Sequence, residues 1–556
     1  MMRRFIIVLI FLALFAVPSN SVGADYFLAD VRDHLRQGLE NDLIAPDHFY
    51  DIDLLSQFYE ARNYRPAWIG TNGIRNQAED LVRTIYEAEK EGLSRNDYHY
   101  AQMKRLSELI RDSENVINEP DLYVEFDLLM TDAFFIYAFH LISGHVNPET
   151  IQATWSSNGK RADLVPILQE ALDSGSVRYT LKKLSPFRRG YSLLRYELMH
   201  YRYIARRGGW EPISEGPVMR RGDRGKRVEL LRKHLLLTED LQFEEEKKVD
   251  IFDEDLESAV VRYQRRHGLP ADGIVGSDTL AWLNIPADEL VKKIRLNMER
   301  WRWLARDRGE IYIVVNIADF TLNVINNDEP ELSMRVIVGT NYRKTPVFSS
   351  GIKRIIVNPY WYVPPIIAVK DVLPEVKKNP DYLTERKIRI YRSWNSGSHE
   401  IDPATIDWSK VDAENFVYKF RQDPGPLNPL GKIKFLFPNK FSVYLHDTPA
   451  RNLFEMIRRG FSSGCIRVEK PAELADYLLK DNKEEKWEEV EEVIESGDPK
   501  VYYLPKPVPI YLIYWTAWVD NDMQLNFRDD IYNRDILLSE ALNEKPPVMT
   551  ETPRPH

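Results

Sequence analysis

The sequence predicts a multidomain α+β protein. A mostly helical N-terminal scaffold comes first, then a compact three-helix unit, then a C-terminal β-sandwich-like domain carrying a lid insertion. Three observations predict this. The chain has 556 residues, too many for one hydrophobic core. Apolar residues recur at helical spacing as far as Leu283. From Ile311 the period falls to two, in short runs separated by turn residues. Hydrophobic content of 44% and charged content of 29% fit a soluble globular chain. The net charge is −10 with no basic tract, which argues against nucleic acid or anionic lipid as the main partner.

The first element is an expected export signal, residues 1–24. Met1-Met2-Arg3-Arg4 is a short positive start, and Phe5 to Val17 is an apolar run too short to span a bilayer comfortably. Pro18 to Gly23 is polar and turn-forming, and Val22-Gly23-Ala24 places small residues for cleavage after Ala24. The expected location of the mature chain is therefore outside the cytoplasm. Phe126 to Ile142 is a second apolar run, but it contains Asp127, Asp132 and His140. A charge near a membrane helix centre costs about 3 kcal/mol, so a buried core helix is expected instead.

Residues 25–212 form the expected helical scaffold. Ile74 to Glu91 carries Leu81, Ile85 and Ala88 at helical spacing and stops near Gly92. Tyr123 to Ser143 is the long buried helix, and Asp163 to Leu172 and Leu193 to Tyr203 are further helices. Residues 213–288 are the expected three-helix unit. Asp223 is placed to cap a first helix carrying Val228, Leu231 and Leu235. Phe252-Asp253 opens a second helix with Leu256, Val260 and Tyr263, ended by Gly268. Ser277 is placed to cap a short third helix.

Residues 295–530 form the expected β domain. Ile311 to Asn316, Phe320 to Ile325, Met334 to Val338, Ile352 to Val357 and Lys440 to Leu445 read as mostly antiparallel strands. Tyr511 to Val519 and Gln524 to Phe527 read as the last ones, and Ala472 to Leu479 and Glu484 to Ser496 as helices. Between Tyr360 and Phe437 the alternation breaks into Pro-, Trp- and Tyr-rich sequence, and residues 366–436 are the expected lid. Residues 543–556, with four prolines, form an expected disordered tail.

Cys465 is the only cysteine, so it cannot form an internal disulfide. Its polar, flexible setting, Ser462-Ser463-Gly464-Cys465-Ile466-Arg467, suits a nucleophile better than a core position. A free thiol is only about 3% thiolate at pH 7, so it needs a base. His446 lies nineteen positions upstream at a strand end and can take the proton. Gly464 allows close backbone approach, and the N–H groups of Ser463, Gly464 and Cys465 can face an oxyanion. One cysteine with scattered histidines offers no metal-ligand spacing.

Two stretches resemble known families. Arg221-Gly222-Asp223-Arg224-Gly225, Phe252-Asp253, Tyr263-Gln264, Asp272-Gly273 and Leu283-Asn284 resemble the peptidoglycan-binding three-helix domain. Asn358 to Pro364, Tyr444 to Pro449 and Phe461 to Val468 resemble the L,D-transpeptidases, the YkuD-type enzymes, in their long periplasmic form. Thr345 to Ser349 and Tyr59 to Trp68 match that form too. Ser463 stands where the commonest family motif has histidine. The resemblance implies that Cys465 attacks the third residue of a peptidoglycan stem peptide, a diaminopimelate, and that His446 relays the proton. The thioester would then pass to an amine on a neighbouring stem, forming a 3-3 cross-link. It also implies that Ser463, Gly464, Tyr444, Arg467, Tyr360 and Trp361 serve oxyanion or substrate binding. No metal or organic cofactor is implied. Expected partners are the stem peptides and glycan, with a D,D-carboxypeptidase supplying tetrapeptide donors. An L,D-carboxypeptidase or endopeptidase, or a non-catalytic wall-binding protein, is the alternative.

Overall fold

A computed structural model describes residues 19–41, 49–112, 119–151, 162–186, 188–242, 249–305, 308–395, 397–480 and 487–544. The apolar run of the expected signal and most of the expected tail lie outside these residues. Where Pro18 to Gly23 was expected to turn, a helix, Ser19–Glu40, begins at Ser19. The chain divides into two compact units, residues 1–145 with 161–187 and 544–556, and residues 146–160 with 188–543.

The first unit is helical. Its centre is Pro120–Ser143, the expected buried helix, which is apolar on every side. Of its four carboxylates, Asp127 and Asp132 are fully buried and hydrogen-bonded. Asp127 accepts the N–H groups of Ala67 and Trp68 at 2.8 Å each, and the Tyr59 hydroxyl at 2.6 Å. Asp132 accepts the Tyr50 N–H at 3.0 Å and sits 2.7 Å from His99 Nε2. These bonds fold the Tyr59-to-Trp68 segment onto the helix. The helix expected over Ile74 to Glu91 is instead Asn76–Tyr86 followed by a tight turn of helix, Ala88–Glu91, ending at Gly92 with φ +74°.

In the second unit the three helices are Lys226–Leu237, Glu254–Arg266 and Ser277–Leu283. Asp253 caps the second helix by accepting the Leu256 N–H at 2.9 Å. The other two expected caps are displaced. Asp223 accepts the Arg220 N–H within the preceding turn, and Ser277 is already the first helical residue. These helices share one core with Arg189–Arg206, Ala287–Arg302 and a hairpin near the C-terminus. Arg189–Arg206 lies in the stretch assigned from sequence to the scaffold. It packs here because Tyr191, Leu194, Leu198 and Tyr201 share that core with Trp282, Trp301 and Phe527.

The β domain contains β1 (Ile311–Asn316), β2 (Thr321–Asn326), β3 (Glu329–Gly339) and β4 (Phe348–Val357). Next come β5 (Trp361–Tyr362), β6 (Ile388–Tyr391), β7 (Lys419–Gln422), β8 (Ile433–Leu436) and β9 (Leu445–His446). The remaining strands are β10 (Gly460–Ser462), β11 (Ile466–Val468), β12 (Lys500–Ile513), β13 (Ala517–Val519) and β14 (Leu525–Phe527). Nine of them make one sheet in the order β10-β3-β11-β9-β8-β4-β12-β1-β2, and β2 pairs back with β3. The sheet thereby closes on itself, so opposite halves face each other across one core as a sandwich would. Its pairings are antiparallel except β9–β11, β10–β3 and β12–β1.

Three strand expectations need correction. Lys440 to Tyr444 is not a strand. Asn439 bonds through its side chain to Phe437, Phe441 and Val443, which makes a turn, and Ser442 has φ +56°. The strand before that turn, β8, was not expected. The run from Tyr511 to Val519 is also split, because the N–H groups of Trp515 and Thr516 bond to Asn316 and Asn297 side chains. Its second part joins β14 in the hairpin of the helical core.

The insertion is folded rather than irregular. β5, β7 and β6 form a three-stranded sheet, and Val372, Val376, Leu383, Ile390, Trp408 and Phe420 give it a separate core. Strands of two to four residues among prolines leave no alternation to read.

Candidate active site

Cys465 and His446 are brought to one face of the closed sheet by a parallel pairing. β9 and β11 run side by side with Leu445 opposite Ile466 and His446 opposite Arg467. Leu445 and Ile466 point into the core with no exposure. Alternation along a strand then sends Tyr444, His446, Cys465 and Arg467 to the other face. The Ile466 N–H donates to the Tyr444 carbonyl at 3.1 Å, which sets Cys465 beside Tyr444. On the other side of β9, Lys434 of β8 is the register partner of His446. Its ammonium lies 3.7 Å from the Tyr444 ring centroid.

The chain leaves His446, returns through a short helix, Arg451–Glu455, and is pinned on the way. Arg335 of β3 donates to both Glu455 and Glu469. The cysteine loop is fixed by two hydroxyls. The Ser462 hydroxyl accepts the Gly464 N–H at 3.0 Å and donates to the Cys465 carbonyl at 2.5 Å. The Thr345 hydroxyl accepts the Gly339 N–H and donates to the Gly464 carbonyl, each at 2.9 Å. Gly464 has φ +113°, a conformation that suits glycine alone. Arg343 donates to the Ser463 hydroxyl at 2.8 Å and to the Asp371 carboxylate of the insertion at 2.6 and 3.0 Å. The insertion is thus tied to the cysteine loop through one guanidinium.

The imidazole of His446 is 5% exposed, and its Nδ1 lies 2.5 Å from the Asp447 carbonyl oxygen. A carbonyl only accepts, so Nδ1 carries the hydrogen and Nε2 keeps its lone pair. Burial, reinforced by the Arg467 and Lys434 cations, pulls the His446 pKa down to about 3. The ring is a neutral acceptor at physiological pH. Burial pushes the Cys465 thiol up, against the pull of the Tyr444 N–H and hydroxyl, Lys434 and Arg467. The resting sulfur is therefore a thiol, and it donates to the Ser442 carbonyl at 3.9 Å. A neutral imidazole and a thiol on neighbouring strands can exchange a proton when an acyl carbon approaches.

Residues 310–501 match the family model of the L,D-transpeptidase catalytic domain. This chain carries an L,D-transpeptidase catalytic domain. Residues 53–198 match a scaffold domain, and residues 224–283 match a family described as "Putative peptidoglycan binding domain". A Haemophilus influenzae protein named "Putative L,D-transpeptidase" is 37% identical over 254 residues, 45% of this chain and 50% of that protein. The match spans about half the length of that curated relative. Among solved structures, an L,D-transpeptidase from Xylanimonas cellulosilytica shares 14% identity over 54% of this chain and 100% of that one, with a TM-score of 0.17. One from Stackebrandtia nassauensis shares 12% over 55% and 97%, with a TM-score of 0.21.

Within the L,D-transpeptidase domain the residues singled out from sequence fall into two groups. Cys465, His446, Tyr444 and Arg467 share one face of the sheet, with Ser463 and Gly464 in the adjoining loop. The Gly464 N–H is taken up by the Ser462 hydroxyl. Tyr360 and Trp361 belong to the insertion. The Arg421 guanidinium sits 4.5 Å from the Tyr360 ring, and Trp361 packs on the insertion's core. Sequence reasoning missed Lys434, Arg343 and Thr345 in their roles at the site. A lysine inside the alternating run Ile433-Lys434-Phe435 was the available signal for the first. The other two act through contacts more than a hundred residues away. A groove of about 1030 Å³ runs past Asp447, Thr448, Lys432 and Glu469, and Cys465 does not line it.

Proposed function

We propose that this chain is an exported peptidoglycan L,D-transpeptidase that forms 3-3 cross-links through a Cys465 thioester. The observation that carries this reading is the parallel β9–β11 register, which sets a neutral, correctly tautomerised His446 on the same face as Cys465. In the first step His446 Nε2 takes the thiol proton as sulfur attacks the carbonyl of the third stem residue, a diaminopimelate. The N–H groups of Ser463 and Cys465 face the developing oxyanion. The tetrahedral intermediate collapses, the imidazolium gives its proton to the leaving D-alanine nitrogen, and a thioester remains. In the second step the side-chain amine of a diaminopimelate on a neighbouring stem attacks the thioester. His446 accepts the amine proton and returns it to the departing thiolate. The enzyme acts in the periplasm, on tetrapeptide donors made by a D,D-carboxypeptidase. The three-helix unit and scaffold hold the catalytic domain near the wall.

The test is mass spectrometry of muropeptides after purified protein is given tetrapeptide stems. The expected product is a 3-3 dimer that disappears with Cys465→Ala and His446→Ala. Tripeptide monomers alone would replace this reading with an L,D-carboxypeptidase. No product, together with no covalent adduct to Cys465 from a carbapenem, would leave a wall-binding protein.

A further inference from the structure

His446 is flanked on both sides, in one row across three strands, by a cation. Lys434 of β8 is its antiparallel register partner, and Arg467 of β11 is its parallel one. Alternation puts all three side chains on the face that carries Cys465. Among the described residues neither cation makes an ion pair. Arg467 Nε is also buried with no hydrogen-bond partner. The Lys434 ammonium instead rests on the Tyr444 ring at 3.7 Å. The contrast within the same sheet is clear. Arg335 on the neighbouring strand β3 contacts two carboxylates, Glu455 and Glu469.

Two half-buried cations without a counter-charge oppose folding, because desolvation is not offset by a partner. Burial lowers the Lys434 pKa to about 8, and Cys465 pulls it back up. A second cost falls on the chemistry, since both cations disfavour the imidazolium that His446 must become. An anion bound between them would remove both costs at once. It would neutralise the excess charge and let His446 accept the thiol proton more readily when substrate is present.

We propose that Lys434 and Arg467 form a carboxylate-binding pair beside Cys465 that reads a free carboxylate of the peptide next to the scissile bond. This rests on the peptide substrate proposed above. Two carboxylates of that substrate have the required chemistry, the C-terminus of the leaving residue and the free carboxylate of the diaminopimelate. Binding either would place the scissile carbonyl over sulfur and tie proton transfer to substrate arrival. Lys434 is a positioning residue in this scheme, acting on peptide and imidazole rather than on the reacting carbon.

The experiment measures thioester formation by intact mass with three tetrapeptides: the free acid, its C-terminal amide, and one amidated on the diaminopimelate. Each is given to wild type, Lys434→Met and Lys434→Arg. A charge-assisted hydrogen bond of about 1.5–3 kcal/mol corresponds to roughly a 10- to 150-fold fall in kcat/KM for the amide that removes the recognised carboxylate. Lys434→Met should lose that preference, and Lys434→Arg should keep most of it. Whichever amide is penalised identifies the carboxylate. Equal rates on all three peptides in wild type would overturn the proposal, as would an undiminished preference in Lys434→Met. If no peptide forms a thioester while a carbapenem still labels Cys465, the functional reading has failed and not merely this refinement of it.

Discussion

Replacing Thr345 with valine tests whether the cysteine loop is held by a buried hydroxyl. Thr345 has no exposure, and valine keeps its shape. Its hydroxyl serves two backbone groups, the Gly339 N–H on β3 and the Gly464 carbonyl beside the nucleophile. Without it the N–H loses its acceptor and the carbonyl its donor. Leaving a buried polar group unmet costs about 1–3 kcal/mol, the N–H nearer the upper figure because a carbonyl finds other partners more easily. The methyl that replaces the hydroxyl returns about 0.8 kcal/mol of apolar burial. The net expectation is a loss of about 2–4 kcal/mol, read as a lower urea midpoint at unchanged slope. Because Gly464 loses one anchor, thioester formation should slow as well, in protein shown to be folded under the assay conditions. A stability loss below about 0.5 kcal/mol with an unchanged acylation rate would refute the reasoning.

Three further expectations follow from the same geometry. Alkylation of Cys465 by iodoacetamide should rise steadily with pH through and beyond the ordinary thiol range, because burial holds the thiol up and His446 stays neutral above about pH 3. A plateau of reactivity below pH 7 would instead reveal a resting thiolate–imidazolium pair. Arg343→Ala should speed hydrogen exchange in Leu373–Lys378 of the insertion while costing about 1 kcal/mol or less, since the ion pair is partly solvated. Unchanged exchange there would mean that other contacts hold the insertion. Gly431→Ala should slow acylation more than it lowers stability. Its Cβ would fall 2.2 Å from the Asp447 carboxylate and displace the residue whose carbonyl orients His446. Acylation at the wild-type rate would show that the His446 ring does not depend on Asp447.

Long elements with strong periodicity were legible from sequence because the side-chain pattern is set locally. The buried helix Pro120–Ser143 is one case, and β1 is another, a run of β-branched and aromatic residues whose bounds are those expected. Short elements were not. β8 and β9 have four and two residues, too few for a period, and they exist because their neighbours complete the sheet. The same limit hid the insertion's core. Lys434 illustrates the difference at the site. Its residue type and strand position were on the page, but its meaning depends on the register that puts it across from His446.

Sequence by itself determined the chemical inventory: one thiol, one histidine at a strand end, a glycine before the nucleophile, and a polar loop around them. It also determined the order of helical and β regions, since hydrophobic period is written residue by residue. Only the tertiary structure decided which side chains meet. The parallel β9–β11 pairing puts imidazole and sulfur on one face, a hydroxyl from another turn steadies Gly464, and two cations line up beside the base. Those outcomes depend on register and sheet closure, which arise from non-local pairing and burial and have no signature in any short stretch of chain.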